Sequence, residues 1–134
     1  MNTKIYIDYD NDYLSSLSNK LLELFKNNNY DVTLLRNNLN INEKINIINS
    51  NNNKKFIISN KLNNSNNNYI EIIYPLRDND TLAKELNNNL NNLVTKYYQL
   101  RSTTNTNLDY YEILRDINNN QGIIIKFRST AGRW

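Results

Sequence analysis

Three aspartates lie close together near the start of the chain, in the segment Asp8-Tyr9-Asp10-Asn11-Asp12. Clustered carboxylates can hold a hard cation such as Ca²⁺, as they do in the EF-hand loop. That loop requires glycine at its sixth position and glutamate at its twelfth, whereas this chain has Tyr13 and Asn19 there. We therefore expect the aspartates to end a strand and begin a helix, because the helix dipole favours negative charge at its N-terminus.

The other residues that could carry catalysis lack the partners that such chemistry needs. The chain has no histidine and no cysteine, whereas catalytic zinc needs about three protein ligands and one open position. Ser59 and Lys61 could form a hydrolase pair, but no histidine and no glycine-framed serine turn is present to activate the serine. Gly122 and Gly132 lie outside any phosphate-binding loop pattern. We therefore predict a protein that is not an enzyme and that uses no metal and no cofactor.

Composition narrows the possible partners. The 134 residues fit one domain, since domains commonly have about 100–150 residues. The formal charge of +3 comes from 16 basic and 13 acidic residues mixed along the chain. Nucleic-acid-binding proteins usually cluster their basic residues on one face, so we expect no nucleic-acid partner. No apolar run approaches the ~20 residues that span a bilayer, and the first residues lack the apolar segment of a signal peptide.

Asparagine is unusually frequent, with 32 residues in the chain. Such bias can mark a prion-like low-complexity segment. Here the asparagines fall in predicted loops and at predicted helix ends, and they rarely interrupt the apolar periodicity. We therefore interpret them as loop and surface residues of a folded domain, and we expect Asn27-Asn28-Asn29 to end the first helix in a left-handed conformation.

Apolar periodicity predicts the elements that must position these residues. Buried strands are predicted over 4–8, 30–34, 55–59, 69–74 and 122–127, with a polar loop over 63–68. Helices are predicted near 14–25, 42–48 and 82–97, with N-caps at Asp12, Asn42 and Asp80. The last helix follows from one apolar stripe, formed by Leu82, Leu86, Leu90, Leu93 and Tyr97. The segment 110–114 could be a short strand or a turn.

This order predicts an α/β fold, a three-layer sandwich with a mostly parallel central sheet of about five to six strands flanked by helices. We expect a single domain over 1–128. We expect 129–134 to be a short tail that could be foreign to the natural chain.

Four segments in this order resemble the zinc-dependent N-acetylmuramoyl-L-alanine amidase family of the amidase-3 type, which cleaves peptidoglycan. LLELFKNNNYDVTLLR is similar to the family's helix, "NGY-x-V" turn and "LTR" strand end, and EKINIINSN to its "EER-x-x-IAN" helix. KFIISNKLNNSNNNYIEIIY resembles "LFISIH-x-N…GIEVYY", and YEILRDINNNQGIIIKF resembles "LYVLR…PAVLVEVGF". The segments cover 21–36, 43–51, 55–74 and 111–127.

The resemblance also implies that the catalytic residues have been replaced. The family binds zinc through a histidine in a "GHGG" loop, a glutamate at the first helix and the histidine of "SIH", and its general base is the glutamate of "VEVGF". Here the glycine-rich loop is absent, Asn60 stands at the second histidine and Lys126 stands at the base. Asp10 corresponds loosely to the glutamate ligand. Asp10, Asn60 and Lys126 would then be vestigial positions of the old cleft.

Two further residues are candidate contacts for a ligand or a partner. Lys61 follows Asn60, and Arg115 occupies the arginine position of the family's "VLR". Arg115 could equally pair with Asp116 or Glu112 at the surface, where such pairs contribute little. The ten tyrosines, among them Tyr97-Tyr98 and Tyr110-Tyr111, could stack on sugars or could serve as half-buried sheet residues.

The resemblance implies a catalytically inactive amidase-like pseudoenzyme that acts as a binding or regulatory module in bacterial cell-wall or spore-wall biology. A protein partner or self-association is expected, and peptidoglycan is a further candidate. The alternatives are a structural, oligomerising α/β domain and a peptidoglycan-binding domain without hydrolysis. The compartment stays open, because a cell-envelope or spore association follows from the resemblance alone.

Overall fold

The computed structural model describes residues 3–63, 70–90, 94–118 and 120–128. Its strands are β1 Lys4–Tyr9, β2 Val32–Leu35, β3 Lys55–Asn63, β4 Ile70–Ile73, β5 Val94–Tyr98 and β6 Asn120–Arg128. Its helices are α1 Ser15–Asn27, α2 Ile41–Asn49, α3 Thr81–Leu90 and α4 Glu112–Arg115, and a 3₁₀ turn over Asp12–Leu14 precedes α1. The predicted loop over 63–68 begins too early, because Asn63 belongs to β3. The rest of that loop, the predicted strand start at Tyr69, Leu93 and the tail over 129–134 lie outside the described residues.

The strands form one six-stranded sheet in the order β2-β1-β3-β6-β4-β5. Neighbouring strands run parallel, except that β4 runs antiparallel to β6. This arrangement confirms the prediction of an α/β fold with a mostly parallel sheet of five to six strands.

Alternating side chains build a separate core on each face of this sheet. The first face packs against α2 and α4, and its buried residues are Tyr6, Leu35, Ile45, Ile48, Ile57, Ile73, Ile113, Leu114, Ile117 and Ile124. The second face packs against α1 and α3, and its buried residues are Ile5, Ile7, Val32, Ile58, Ile72, Ala83 and Ile123. Because successive strand residues point to opposite faces, β1 contributes to both cores. The three layers are helices, sheet and helices, as predicted.

The helix ends differ in part from the prediction. The predicted N-cap Asp12 is wrong: it lies inside the 3₁₀ turn, and the Asn11 side chain accepts the Tyr13 N–H. The predicted N-cap Asn42 is also wrong, because Asn40 forms a capping box with Glu43. In a capping box the two side chains satisfy backbone N–H groups reciprocally, which Asn42 within the helix could not do.

Two other predicted helix boundaries agree with the structure. Asn29 follows α1 with a φ of 66°, the left-handed conformation expected for the asparagine run. Helix α3 begins directly after Asp80, whose carbonyl accepts the Lys84 N–H.

The segment after α3 corrects the predicted long helix. The helix ends at Leu90, and Tyr97 belongs to β5, which pairs in parallel with β4. Residues 94–98 read Val-Thr-Lys-Tyr-Tyr, and β-branched and aromatic side chains favour strands. Leu82, Leu86 and Leu90 keep helical spacing in α3. Leu93 and Tyr97 continue the same spacing in the sequence, so the pattern predicted a helix where β5 forms. The ambiguous segment 110–114 contains the start of the short helix α4.

Gly122 has little room for a side chain, because Ile57 of β3 and Leu114 of α4 lie close to it. A Cβ at this position would lie 3.2 Å from both the Cβ and the carbonyl oxygen of Ile57 and 3.4 Å from Leu114 Cδ2. Ile57 is itself fully buried in β3, so its backbone has little room to yield.

We expect Gly122→Ala to lower the free energy of unfolding by about 1–3 kcal/mol, the usual cost of overpacking a core. Urea denaturation measures this change. Gln121→Ala, at the exposed neighbouring position, is the control and should change the free energy much less. Equal stability of Gly122→Ala and the parent would contradict the close packing.

Candidate functional site

The strand order places a crevice at the carboxyl end of β1. The chain passes from β1 to β2 on one side and then to β3 on the other side, so the order reverses between β1 and β3. Ligands of open α/β sheets bind outside the carboxyl ends of the strands at such a switch point. A cleft of about 280 Å³ lies there, and its lining is Asp8, Asp10, Asn37, Leu39, Ile41, Lys44, Lys61, Tyr111, Glu112 and Ile113.

A buried ion pair forms part of the cleft lining. Lys44 Nζ donates to Asp8 Oδ1 at 2.5 Å and to the Tyr9 carbonyl oxygen at 3.0 Å. Ser59 Oγ donates to Asp8 Oδ2 at 2.5 Å. Asp8, Lys44 and Ser59 are all buried, and both oxygens of Asp8 are therefore occupied by partners within the fold.

Lys61, Asp10 and Tyr111 form the more accessible part of the cleft. Lys61 Nζ lies 3.8 Å from Asp10 Oδ2 and 5.1 Å from the centroid of the Tyr111 ring. The Lys61 side chain is 15% exposed, and that of Asp10 is 44% exposed. The distance to Asp10 exceeds that of a hydrogen bond, so the contact is an ion pair without a hydrogen bond.

Asn60 lies on the other face of the sheet from Lys61. Its Nδ2 donates to Ser18 Oγ of α1 at 3.1 Å, and both residues are fully buried. Its Oδ1 has no hydrogen-bond partner among the described residues, which is uncommon for a buried polar atom. Alternation along β3 thus turns Asn60 towards α1 and Lys61 towards the cleft, although they are sequence neighbours.

Lys126 belongs to a row of charged residues across the first face. It is the register partner of Lys61 on β3 and of Glu71 on β4, and Glu71 is in turn the partner of Lys96 on β5. Glu71 is buried and accepts the Tyr98 hydroxyl at 2.8 Å. Lys126 thus lies next to the cleft and is not part of its lining.

Arg115 lies outside the cleft. Its Nε and Nη2 donate to the Asp116 carboxylate at 3.1 and 3.3 Å, and the hydrogen bond to Asp116 raises the pKa of Arg115 above its usual value. The structure therefore shows the surface pair that the sequence left open as an alternative to a ligand contact.

The side chains at these positions do not fit a zinc ion. Zinc is held by histidine, cysteine and carboxylate ligands, and the described residues contain no group of three or more such side chains placed to hold a metal. Asn60 is turned to α1, and Lys126 would bring a positive charge towards any cation. No step of a mechanism can be derived through zinc for this set of residues.

Lys44 is the site residue that the sequence reasoning missed. Its spacing in the sequence could have revealed it. Lys44 stands in the same helical stripe as the apolar residues Ile41, Ile45 and Ile48, which indicates that its side chain is buried. A lysine within such a stripe needs a buried acidic partner. Asp8 was available as that partner, at the end of a buried strand.

Comparisons with protein-family models, with curated proteins and with solved structures found no match for this chain. The relation to amidases therefore rests on the four sequence segments and stays a prediction. Within the ranges that the structure covers, no helix has the length and apolar character required to cross a membrane.

We expect Lys44→Met to lower the free energy of unfolding by about 3–5 kcal/mol, because it leaves a buried carboxylate unpaired. Adding Asp8→Asn should recover part of this loss, since the charge that lacks a partner is then removed. Urea denaturation of the single and double variants measures both effects.

Lys4→Met is the matched control for Lys44→Met. Lys4 pairs with Asp31 at 2.7 Å, but the Asp31 side chain is 67% exposed. Surface pairs contribute about 0–1 kcal/mol. Equal losses for Lys4→Met and Lys44→Met would contradict the assigned role of the buried pair.

Tyr98 should make stability depend on pH in the alkaline range. Burial and the hydrogen bond to Glu71 raise the pKa of Tyr98 above the ~10 of an unfolded chain. The folded state then binds the phenolic proton more tightly, so this contribution is complete below pH ~10 and is lost as the pH rises towards the folded pKa.

Tyr98→Phe should therefore show a weaker alkaline loss of unfolding free energy than the parent. At neutral pH it should be less stable by about 1–3 kcal/mol, because a buried carboxyl group loses a donor. Tyr30→Phe, at an exposed ring, is the control for both measurements. Identical alkaline profiles of Tyr98→Phe and the parent would count against this account.

Proposed function

We propose that this protein is a catalytically inactive, amidase-like module that binds a ligand of the bacterial cell wall or spore wall at the cleft between β1, α2 and α4. Peptidoglycan is the first candidate ligand, and a wall enzyme or another wall protein is the next. The observation that carries the proposal is a cleft at the switch point of the sheet whose buried carboxylate, Asp8, has both oxygens bonded within the fold. The position of the cleft favours ligand binding, and the pairing of Asp8 leaves that carboxylate without a catalytic role.

The groups around the cleft are poorly suited to catalysis. A general base must reach the proton that it removes, and a nucleophile must reach the substrate. Asp8 and Ser59 are buried and bonded to each other, and Lys44 is held by Asp8. Asp10 and Glu112 are the more accessible carboxylates of the lining, and Lys61 lies beside Asp10. These contacts support binding over hydrolysis.

The walls of the cleft are suited to a small group with both apolar and charged parts. Leu39, Ile41 and Ile113 supply apolar surface, and Tyr111 supplies a ring. The volume of about 280 Å³ is near the lower end of the ~300–1,000 Å³ of ligand pockets. One or two amino-acid residues of a wall peptide fit this description.

The edges of the sheet support a second candidate, self-association. The outermost strands are β2 and β5, and no described strand pairs with their outer sides. An unpaired strand edge can add a strand from another chain. Sedimentation over a range of concentrations tests this candidate, which a strict monomer would exclude.

The proposed function predicts binding without cleavage. Purified protein should sediment with insoluble peptidoglycan, release no peptide from it and contain no stoichiometric zinc by elemental analysis. Stoichiometric zinc together with peptide release would overturn the inactive assignment. Failure to sediment with peptidoglycan would leave a protein partner as the ligand, to be sought by pull-down from the native cells.

Tyr111→Ser tests whether the cleft is the binding site. Loss of the ring should weaken sedimentation with peptidoglycan by about tenfold, which corresponds to ~1.4 kcal/mol. Tyr13→Ser is the matched control, because Tyr13 is 62% exposed and lies outside the cleft. Equal binding by both variants, each folded by circular dichroism, would place the binding surface elsewhere.

A further inference from the structure

We infer that Lys61 anchors a carboxylate of the ligand, and that the ligand is a zwitterionic amino acid or a short zwitterionic peptide whose ammonium group lies beside Asp10 and Glu112. The inference rests on the proposed function, because it takes the cleft as the binding site. The inference adds to that function the charges that the ligand must carry and the residue, Lys61, that binds its carboxylate.

Lys61 has hydrogen-bonding capacity that the described residues do not use. An ammonium group has three N–H donors, and the contacts of Lys61 are the ion pair with Asp10 at 3.8 Å and the Tyr111 ring at 5.1 Å. Neither contact is a hydrogen bond. With its side chain only 15% exposed, the ammonium is partly desolvated, and a desolvated charge gains most from a charged acceptor.

Lys44 differs from Lys61 in this respect, although both line the cleft. Lys44 donates to Asp8 and to the Tyr9 carbonyl oxygen at hydrogen-bond distances. Its charge is therefore matched within the fold, and it stays 4% exposed. Lys61 is the lysine of the cleft lining that remains open to an added acceptor.

The acidic side chains of the cleft indicate a positive charge on the part of the ligand that lies away from Lys61. The lining contains three carboxylates, Asp8, Asp10 and Glu112, against two ammonium groups. Because Lys44 neutralises Asp8, the carboxylates of Asp10 and Glu112 remain opposite Lys61 within the lining, and Lys126 lies beside Lys61 on β6. A ligand with one carboxylate and one ammonium group matches this arrangement.

Tyr111 and the first turn of α2 favour the same orientation. The Tyr111 ring faces the Lys61 ammonium and helps to hold it in the cleft by a cation–π contact. Ile41 and Lys44 bring the N-terminal turn of α2 into the cleft lining, and the positive end of a helix dipole stabilises a nearby anion. The carboxylate would thus lie between α2 and the end of β3.

Calorimetric titration with three small probes tests the inference. The probes are the dipeptide alanyl-alanine, the same dipeptide with an amidated C-terminus, and the same dipeptide with an acetylated N-terminus. The parent protein should bind the free dipeptide at least about tenfold more tightly than the amide, a difference of ~1.4 kcal/mol. The acetylated probe should also bind more weakly than the free dipeptide.

Lys61→Met should bind the free and amidated dipeptides equally, because the charge that distinguishes them is gone. Lys84→Met, at an exposed lysine of α3 on the other face of the sheet, should keep the parent's preference. Equal affinities of the parent for acid and amide, no binding of either, or a preserved preference in Lys61→Met would overturn the inference. The probe comparison on the parent needs no variant, so a misfolded variant leaves the test intact.

Sedimentation with peptidoglycan separates this inference from the proposed function. Parent protein that sediments with peptidoglycan but shows no carboxylate preference overturns the role of Lys61 and keeps the proposed function. Parent protein that prefers the free dipeptide but does not sediment with peptidoglycan keeps the role of Lys61 and excludes peptidoglycan as the ligand.

Discussion

The ion pair between Asp8 and Lys44 is the contact on which the rest of the site depends. It joins the end of β1 to the first turns of α2, and Ser59 extends it to β3. Burying two charges costs several kcal/mol for each ion unless good geometry and further hydrogen bonds compensate. Here the Tyr9 carbonyl and the Ser59 hydroxyl supply those hydrogen bonds. The pair thus fixes where α2 meets the sheet, and with it one wall of the cleft.

Strand alternation separates two polar environments at the end of β3. Ser59 and Lys61 point to the first face, where Ser59 contacts Asp8 and Lys61 lines the cleft, while Asn60 points to Ser18 of α1 on the second face. A shift of register by one residue would exchange these environments. The apolar residues Ile57 and Ile58, buried on opposite faces, hold the register, so core packing decides which polar side chain reaches the cleft.

Much of the fold could be predicted from apolar spacing, and the exceptions have physical causes. Five buried strands and the two-sided sheet followed from short apolar runs. Strand β5 was missed because the leucines of α3 extend a helical pattern to Leu93 and Tyr97, and pairing with β4 rather than local spacing decides the outcome. The N-cap of α2 was predicted at the wrong residue because several asparagines near the start of this helix could serve as the cap. The structure selects Asn40, whose side chain forms a capping box with Glu43.

The sequence by itself determined the fold class and the kinds of side chain available for chemistry. A chain without histidine and cysteine has only carboxylates, hydroxyls, amides, amines and guanidinium groups to offer, whatever its shape. The tertiary structure alone decided which of these groups form hydrogen bonds within the fold and which face the cleft. Asp8 and Lys44 are 36 residues apart, and no local pattern can show that they meet. Burial and distance, which arise only when the sheet is assembled, made Lys44 a structural residue and left Lys61 facing the cleft.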